Sequence, residues 1–367
     1  MRILTVFGTR PEAIKMAPVI RAAKEAGIDT SVCVTAQHRG MLDQMIEVFG
    51  ITPDFDLDLM QENQSPLSVA SRIFEALIPV IVSVQSDWLL VQGDTTTAFA
   101  AAFVGYQHRV RVAHIEAGLR TSDKWQPFPE EMNRRLVTVL ADLHFAPTQR
   151  AMDALRTEGV PAERICVTGN TVVDALQEIL KRPAKFADPR LRALTGRIVL
   201  LTAHRRENFG ERLEQICLAA TDLLRKFTDI TMVFPVHPNP HVTELAHGLL
   251  GGEARAVLTA PLAYPDFVHL MKSAALIWSD SGGVQEEAPS IGTRVLVLRD
   301  VTERPEAVES GWAKLVGTSR KEILKQATAW LEDERHGALP SKENPFGDGK
   351  ASGRIVRALR QFSAPTA

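Results

Sequence analysis

Short apolar runs alternate with longer amphipathic stretches along almost the whole chain. The runs predict strands at Ile3–Phe7, Thr30–Val34, Trp88–Val91, Val110–His114, Leu143–Ala146 and Ile165–Val167. Between them apolar positions recur at helical spacing, predicting helices at Glu12–Ala26, Gly40–Phe49, Leu67–Val84, Thr95–Tyr106, Glu130–Ala141, Gln149–Glu158 and Val172–Leu180. Strands separated by helices of this length form parallel sheets with right-handed crossovers. Residues 181–196 interrupt the rhythm with two prolines and several charges, predicting a linker or exposed excursion. Alternation then resumes, with strands at Ile198–Thr202, Thr231–Pro235, Ala256–Leu258, Ala275–Ser279, Val295–Leu298 and Lys314–Val316, and helices including Asn208–Lys226 and Lys321–Glu332. Residues 342–350 read as a Gly/Pro loop, and Ala351–Phe362 as a last helix. The expected class is α/β, with two parallel-sheet domains, residues 1–170 and 171–350, and a terminal segment, 351–367. Ligand crevices in such folds lie at the carboxyl ends of the strands, here expected to face a common cleft.

Composition narrows the class. A length of 367 residues suits two domains, and 45% hydrophobic with 23% charged residues is ordinary for a globular chain. The formal net charge of −2 supplies no basic surplus for nucleic acid or an anionic membrane. Cys33, Cys166 and Cys217 lie in apolar segments without CxxC spacing, which speaks against a disulfide framework or zinc site and fits a reducing cytosol. The first apolar run is too short for a signal peptide, and no stretch is expected to reach the length of a membrane span. Asn63-Gln64-Ser65 matches a glycosylation sequon, which has no function without secretion.

The chemistry gathers at the predicted strand ends. Ser279-Asp280-Ser281-Gly282-Gly283 follows a buried strand and precedes a short predicted helix from Val284 to Ile291. A strand–Gly-Gly–helix unit admits a ligand close to the backbone and offers helix N–H groups to an anion. Glu287 lies about one turn further along, where a carboxylate can take hydroxyls; the alternative is an ordinary βα turn. Gly8-Thr9-Arg10 with Lys15 suggests another anion site, but lacks both dinucleotide and P-loop glycine spacing. Asp94 follows a strand, either as a functional carboxylate or as the N-cap of the next helix. Glu116 stands at the next strand end, and Glu130 opens a helix, where an acidic residue also suits the helix dipole. Three carboxylates converging on one ligand would suit acid–base chemistry on a sugar ring. His204-Arg205-Arg206 and His237 follow two strands of the second half, as an anion clamp or a solvated loop, and the histidines lack metal-ligand spacing.

In order along the chain stand Phe7-Gly8-Thr9-Arg10-Pro11-Glu12, Gly93-Asp94-Thr95, His114-Ile115-Glu116-Ala117-Gly118-Leu119-Arg120 and Phe128-Pro129-Glu130-Glu131. His204-Arg205-Arg206-Glu207, Asp280-Ser281-Gly282-Gly283, Glu286-Glu287-Ala288-Pro289-Ser290 and Thr302-Glu303-Arg304-Pro305-Glu306 follow. Together they resemble the non-hydrolysing bacterial UDP-N-acetylglucosamine 2-epimerases, from residue 1 to about 352. The resemblance implies two Rossmann-like domains of the glycosyltransferase B kind, an active site in the interdomain cleft, and a last helix packing back on the first domain. It also implies a cytoplasmic homodimer, without cofactor or metal, that interconverts UDP-GlcNAc and UDP-ManNAc through a glucal and feeds surface polysaccharide synthesis. It assigns Asp94, Glu116, Glu130 and His204 to catalysis, and Arg10, Lys15, Arg134, Phe267, Ser281, Gly282, Gly283, Glu287 and Arg304 to substrate binding. Gln37, His38, Arg205 and His237 match segments of a second, activating UDP-GlcNAc site in some relatives, while Gly40 and Asn63 depart from it. Leu262 stands where relatives often carry a glutamine on uracil, and leucine offers that edge no hydrogen bond. A hydrolysing epimerase and a glycosyltransferase on the same fold are the alternatives.

Overall fold

The computed structural model describes residues 1–35, 39–59, 64–121, 123–333 and 343–363; Gln37, His38 and Asn63 lie outside them. The chain divides into two compact units, Met1–Gln177 with Phe346–Ala367, and Glu178–Pro345. Each unit is one parallel sheet with helices packed on it.

The first sheet contains β1 (Arg2–Phe7), β2 (Asp29–Val34), β3 (Phe55–Asp56), β4 (Trp88–Gln92), β5 (Arg111–Ile115), β6 (Leu143–Ala146) and β7 (Ile165–Val167). The second contains β8 (Arg197–Thr202), β9 (Ile230–Pro235), β10 (Ala256–Thr259), β11 (Ala274–Ser279), β12 (Val295–Val297) and β13 (Ala313–Leu315). Strand order is β3-β2-β1-β4-β5-β6-β7 in one and β10-β9-β8-β11-β12-β13 in the other, with every pairing parallel. The α/β class read from the alternation is therefore the observed one. Central strands such as β4, buried at every position, carry the continuous apolar runs that a sheet covered on both faces requires. Chain direction across each sheet reverses once, between β1 and β4 and between β8 and β11. Loops that leave such a switch point part to either side, so its carboxyl edge is where ligands enter.

Several boundaries differ from expectation for local reasons. The first helix begins at Arg10 rather than Glu12: Thr9 and Glu12 form a capping box, and Pro11 in the first turn needs no intrahelical N–H bond. The helix after β11 starts at Gly282, with Ser281 as N-cap, so both glycines belong to its first turn. The helix predicted from Asn208 begins at Glu211, behind a short 3-10 turn at Arg206–Asn208. A helix at Pro189–Arg192, N-capped by Asp188, lies inside the predicted linker.

One expectation is corrected. The helix Pro66–Val84 is long and apolar enough to cross a membrane, where no such stretch was foreseen. It is apolar on two sides. Val69, Ile73, Leu77, Val80 and Val84 enter the core with Leu4, Val6 and Val91, while Leu67, Ile78 and Val82 remain exposed.

The final helix, Ala351–Ser363, packs on Arg10–Glu25. Asp174 receives its first turn through the N–H groups of Ala351 and Ser352 and the Ser352 hydroxyl. The Trp88 indole donates to Ser363 Oγ at 2.7 Å.

Candidate active site

In the first unit the switch-point loops hold a network of charge. Glu12 is buried and ties the ends of β1 and β4 together: Oε2 accepts from the N–H groups of Gly8 (3.0 Å) and Thr9 (2.8 Å), and Oε1 from the Thr95 hydroxyl (2.6 Å). Burial pushes its carboxyl above the ordinary value despite these donors. Thr95, not Asp94, caps the helix Thr96–Gln107. The capping alternative for Asp94 is thereby excluded. Its carboxylate instead receives Arg134 Nε and Nη2 on one oxygen, at 2.8 and 2.5 Å, and its carbonyl accepts from Asn133 Nδ2 at 2.9 Å.

Arg134 is itself bracketed. Its Nη1 donates to Glu131 Oε2 at 3.0 Å, and Glu131 is wholly buried. Glu130 is the first residue of the same helix, a first-turn acid one turn before Arg134 on the same face.

Glu116 follows β5 with a φ of 64°, in the left-handed region that a non-glycine residue occupies at a cost. Its Oε2 receives Lys15 Nζ and, at 2.9 Å, Asn170 Nδ2. A Cβ placed on Gly93 would lie 4.0 Å from Glu116 Oε1, which puts the Asp94 and Glu116 loops side by side. His114 fixes that spacing, because its Nε2 donates to the Gly93 carbonyl at 2.8 Å while Gly93 N–H donates to Ile115. Burial pushes the His114 imidazole down to about 4, and that of His144, its register partner on β6, down to about 3. Both rings are therefore neutral at physiological pH.

The second unit presents a different chemistry at its switch point. Asp280 is fully buried after β11. Its Oδ2 accepts from the N–H groups of His204 and Arg205 and from Asn208 Nδ2, each at 3.0 Å, and Oδ1 lies 2.9 Å from His204 Nδ1. Burial opposes ionisation, but the His204, Arg205 and Asn208 donors hold the carboxyl below its ordinary value. Arg205 Nε also donates to the Asp280 carbonyl at 2.9 Å. The His237 ring stacks on His204 with centroids 6.5 Å apart, so Arg205 and His237 are neighbours of His204 in this structure.

The glycine turn follows directly. Ser281 makes no side-chain capping bond, while Gln285 Nε2 donates to its carbonyl and the Thr302 hydroxyl to Gln285 Oε1. A Cβ on Gly282 would sit 3.4 Å from the Arg304 guanidinium, which is held by Glu286 at 2.8 Å. Glu287 is buried and accepts from the Tyr264 hydroxyl at 2.5 Å. Phe267 lies half-buried on the Tyr264–Ser273 helix, and Leu262 just before it. Arg10 is half-buried at the start of its helix. Asn170, Asp280 and Tyr264 belong to these networks yet carried no role in the sequence, each acting through a partner distant in the chain; Glu131 carried none either, although its partner Arg134 lies one turn away.

The family model for UDP-N-acetylglucosamine 2-epimerase matches residues 21–360. The chain belongs to the UDP-N-acetylglucosamine 2-epimerase family. It is 48% identical over 370 residues to the UDP-N-acetylglucosamine 2-epimerase of Yersinia pestis and 46% identical over 372 residues to that of Escherichia coli K12, covering 98% of each chain in both cases. Among solved structures it resembles the Neisseria meningitidis UDP-GlcNAc 2-epimerase bound to UDP-GlcNAc, with TM-score 0.91 and 44% identity over 98% of this chain and all of that one. It also resembles the Methanocaldococcus jannaschii UDP-GlcNAc 2-epimerase in complex with UDP-GlcNAc and UDP, with TM-score 0.86 and 34% identity over the same shares.

Proposed function

We propose that this chain interconverts UDP-GlcNAc and UDP-ManNAc without net hydrolysis. One observation carries the reading beyond family membership: two carboxylates at adjoining strand ends are each held by a cation in the protein interior, Glu116 by Lys15 and Asp94 by Arg134. The C2 hydrogen of an N-acetylhexosamine is not adjacent to a carbonyl, so its direct removal would leave an unstabilised carbanion. Elimination avoids this. A base takes the C2 proton, the C–H electron pair forms the C1=C2 bond, and the C1–O bond breaks with its pair going to UDP. Re-addition of UDP, with a proton delivered to C2 from the opposite face, gives the epimer.

Base and charge-stabilising roles fall to Asp94, Glu116 and Glu130. With Lys15 bonded to Glu116, the departing diphosphate falls to Arg10, His204 and the Ser281-Gly282-Gly283 turn, where fixed donors stabilise developing charge without reorganising. Glu287, held by Tyr264, takes ribose hydroxyls, and Phe267 and Arg304 complete the substrate contacts. On this reading the reaction runs in the cytoplasm and supplies ManNAc units for surface polysaccharide.

Incubation with UDP-GlcNAc in deuterated water, followed by NMR, tests this. UDP-ManNAc should appear with deuterium at C2 of both epimers. Free UDP with free ManNAc as main products would instead establish the hydrolysing reaction, and an unexchanged C2 would remove epimerisation altogether.

A homodimer is part of the same proposal. Ile78 and Val82, Phe103 and Tyr106, and Leu136 and Val139 are exposed at helical spacing on three successively packed helices, Pro66–Val84, Thr96–Gln107 and Glu130–Leu140. Paired apolar stripes of this kind suit a second copy of the same face. Light scattering should give twice the chain mass, and Val139→Glu should give the monomer; a monomeric native chain refutes it.

A further inference from the structure

We propose that Asp280 is a positioning residue that decides which ring nitrogen of His204 meets the substrate. Its catalytic consequence rests on the epimerase reading, while its structural half stands alone.

An ionised carboxylate only accepts hydrogen bonds. Oδ2 of Asp280 already takes three donors, from His204 N, Arg205 N and Asn208 Nδ2. Oδ1 is buried, lies 2.9 Å from His204 Nδ1 as its ion-pair contact, and receives no donor from any other group among the described residues. That contact is satisfied only when Nδ1 carries the proton, so neutral His204 is the Nδ1–H tautomer and Nε2 holds the lone pair. Other polar groups leave this choice in place. His237 meets the ring by its face, and its own Nδ1 accepts from the Asn239 N–H; Arg205 addresses the Asp280 carbonyl. The Asp280 carboxylate, rigid because it also anchors the 204–208 loop, sets the orientation of a His204 side chain that is itself 44% exposed.

A reversible elimination uses such a nitrogen twice. Protonated Nε2 gives its proton to the diphosphate oxygen as the C1–O bond breaks, leaving neutral His204. It takes the proton back as the bond re-forms. Asp280→Asn disables this cycle while leaving the loop anchored. The amide oxygen can keep the three donors, but the amide NH2 then points at His204 Nδ1, demands a lone pair there and moves the neutral proton to Nε2.

The test begins without substrate. Nitrogen-15 shifts of His204 in the ligand-free native chain, assigned by comparison with His204→Ala, should report the Nδ1–H tautomer, and those of Asp280→Asn the Nε2–H tautomer. Finding Nε2–H in the native chain overturns the proposal whatever the reaction proves to be. In turnover, Asp280→Asn should lower kcat by roughly 10²-fold or more with KM little changed, and should lower it no further in a His204→Ala background. Full turnover, or an equal loss in that background, would show that Asp280 acts other than through His204.

Discussion

The two switch points of this protein solve opposite electrostatic problems. In the first unit the carboxylates at the strand ends are backed by cations: Lys15 on Glu116, Arg134 on Asp94. In the second unit the order is reversed, and buried carboxylates stand behind a histidine and arginines. Asp280 holds His204, Glu286 holds Arg304, and Glu303 bridges to Arg299. Burial works against the charge on Glu303, but Arg299 and Arg304 bring its carboxyl down to about 2. Either way a charge near the protein interior carries a partner, because an unpaired one would cost several kcal/mol. In the proposed reaction the two units differ in which member of each pair faces the ligand. On that proposal one unit serves proton abstraction and the other holds the leaving group.

The largest effect is expected from neutralising the carboxylates of the first unit. Asp94→Asn, Glu116→Gln and Glu130→Gln should each lower turnover by about 10²- to 10⁴-fold, with far smaller changes in the unfolding midpoint. Any one that keeps full kcat has no catalytic role. Removing a backing cation should act on both properties. Lys15→Met leaves the Glu116 carboxylate, 7% exposed, without its charge partner. A stability loss of about 3–5 kcal/mol in denaturant titration is expected, together with loss of activity. A loss of activity alone would mean that Lys15 serves the ligand rather than Glu116.

A third change should separate binding from folding in the second unit. A Cβ on Gly283 would meet nothing nearer than 3.8 Å, so Gly283→Ala fits the folded chain. Affinity for UDP by calorimetry should nevertheless fall about tenfold, or about 1.4 kcal/mol, if the diphosphate rests on this turn. Unchanged affinity would place the anion elsewhere.

The smallest effect concerns pH. His114 and His144 titrate at about 4 and about 3 in the folded chain because burial disfavours their charged forms, against about 6.5 when unfolded. Between those values the unfolded chain binds protons that the folded one refuses. Stability is therefore full above about pH 6.5 and declines as pH falls, by up to about 1.4 kcal/mol per pH unit for each histidine. His144→Gln should flatten that slope in denaturation measured from pH 7 to 4. An unaltered slope would assign the acid sensitivity to other groups.

How much of this was legible depends on how local the signal is. All the long strands were visible as apolar runs; the two-residue strand Phe55–Asp56 was not, since two residues carry no period. The helices Pro240–Leu250, Tyr264–Ser273 and Pro305–Glu309 were not located from the sequence, and each has proline in its first turn. Proline read as a breaker conceals the one helical position that suits it. At the site, Asp94 and Glu116 were legible as polar residues closing apolar runs. Asp280 was visible in a motif without a role, because its function is to receive His204, from a different strand end.

The sequence by itself determined the α/β alternation, and the placing of glycines, carboxylates and histidines at strand ends. Those signals are local: periods of two and 3.6 residues, and turn residues, act over a few positions. Only the tertiary structure decided which charge meets which. Lys15 reaches Glu116 across 101 residues, Arg134 reaches Asp94 across 40, and the His204 N–H reaches Asp280 across 76. Each pairing requires loops and helices that follow different strands to meet at the carboxyl edge of a sheet, and strand order is set by the packing of the whole sheet, which no local pattern records.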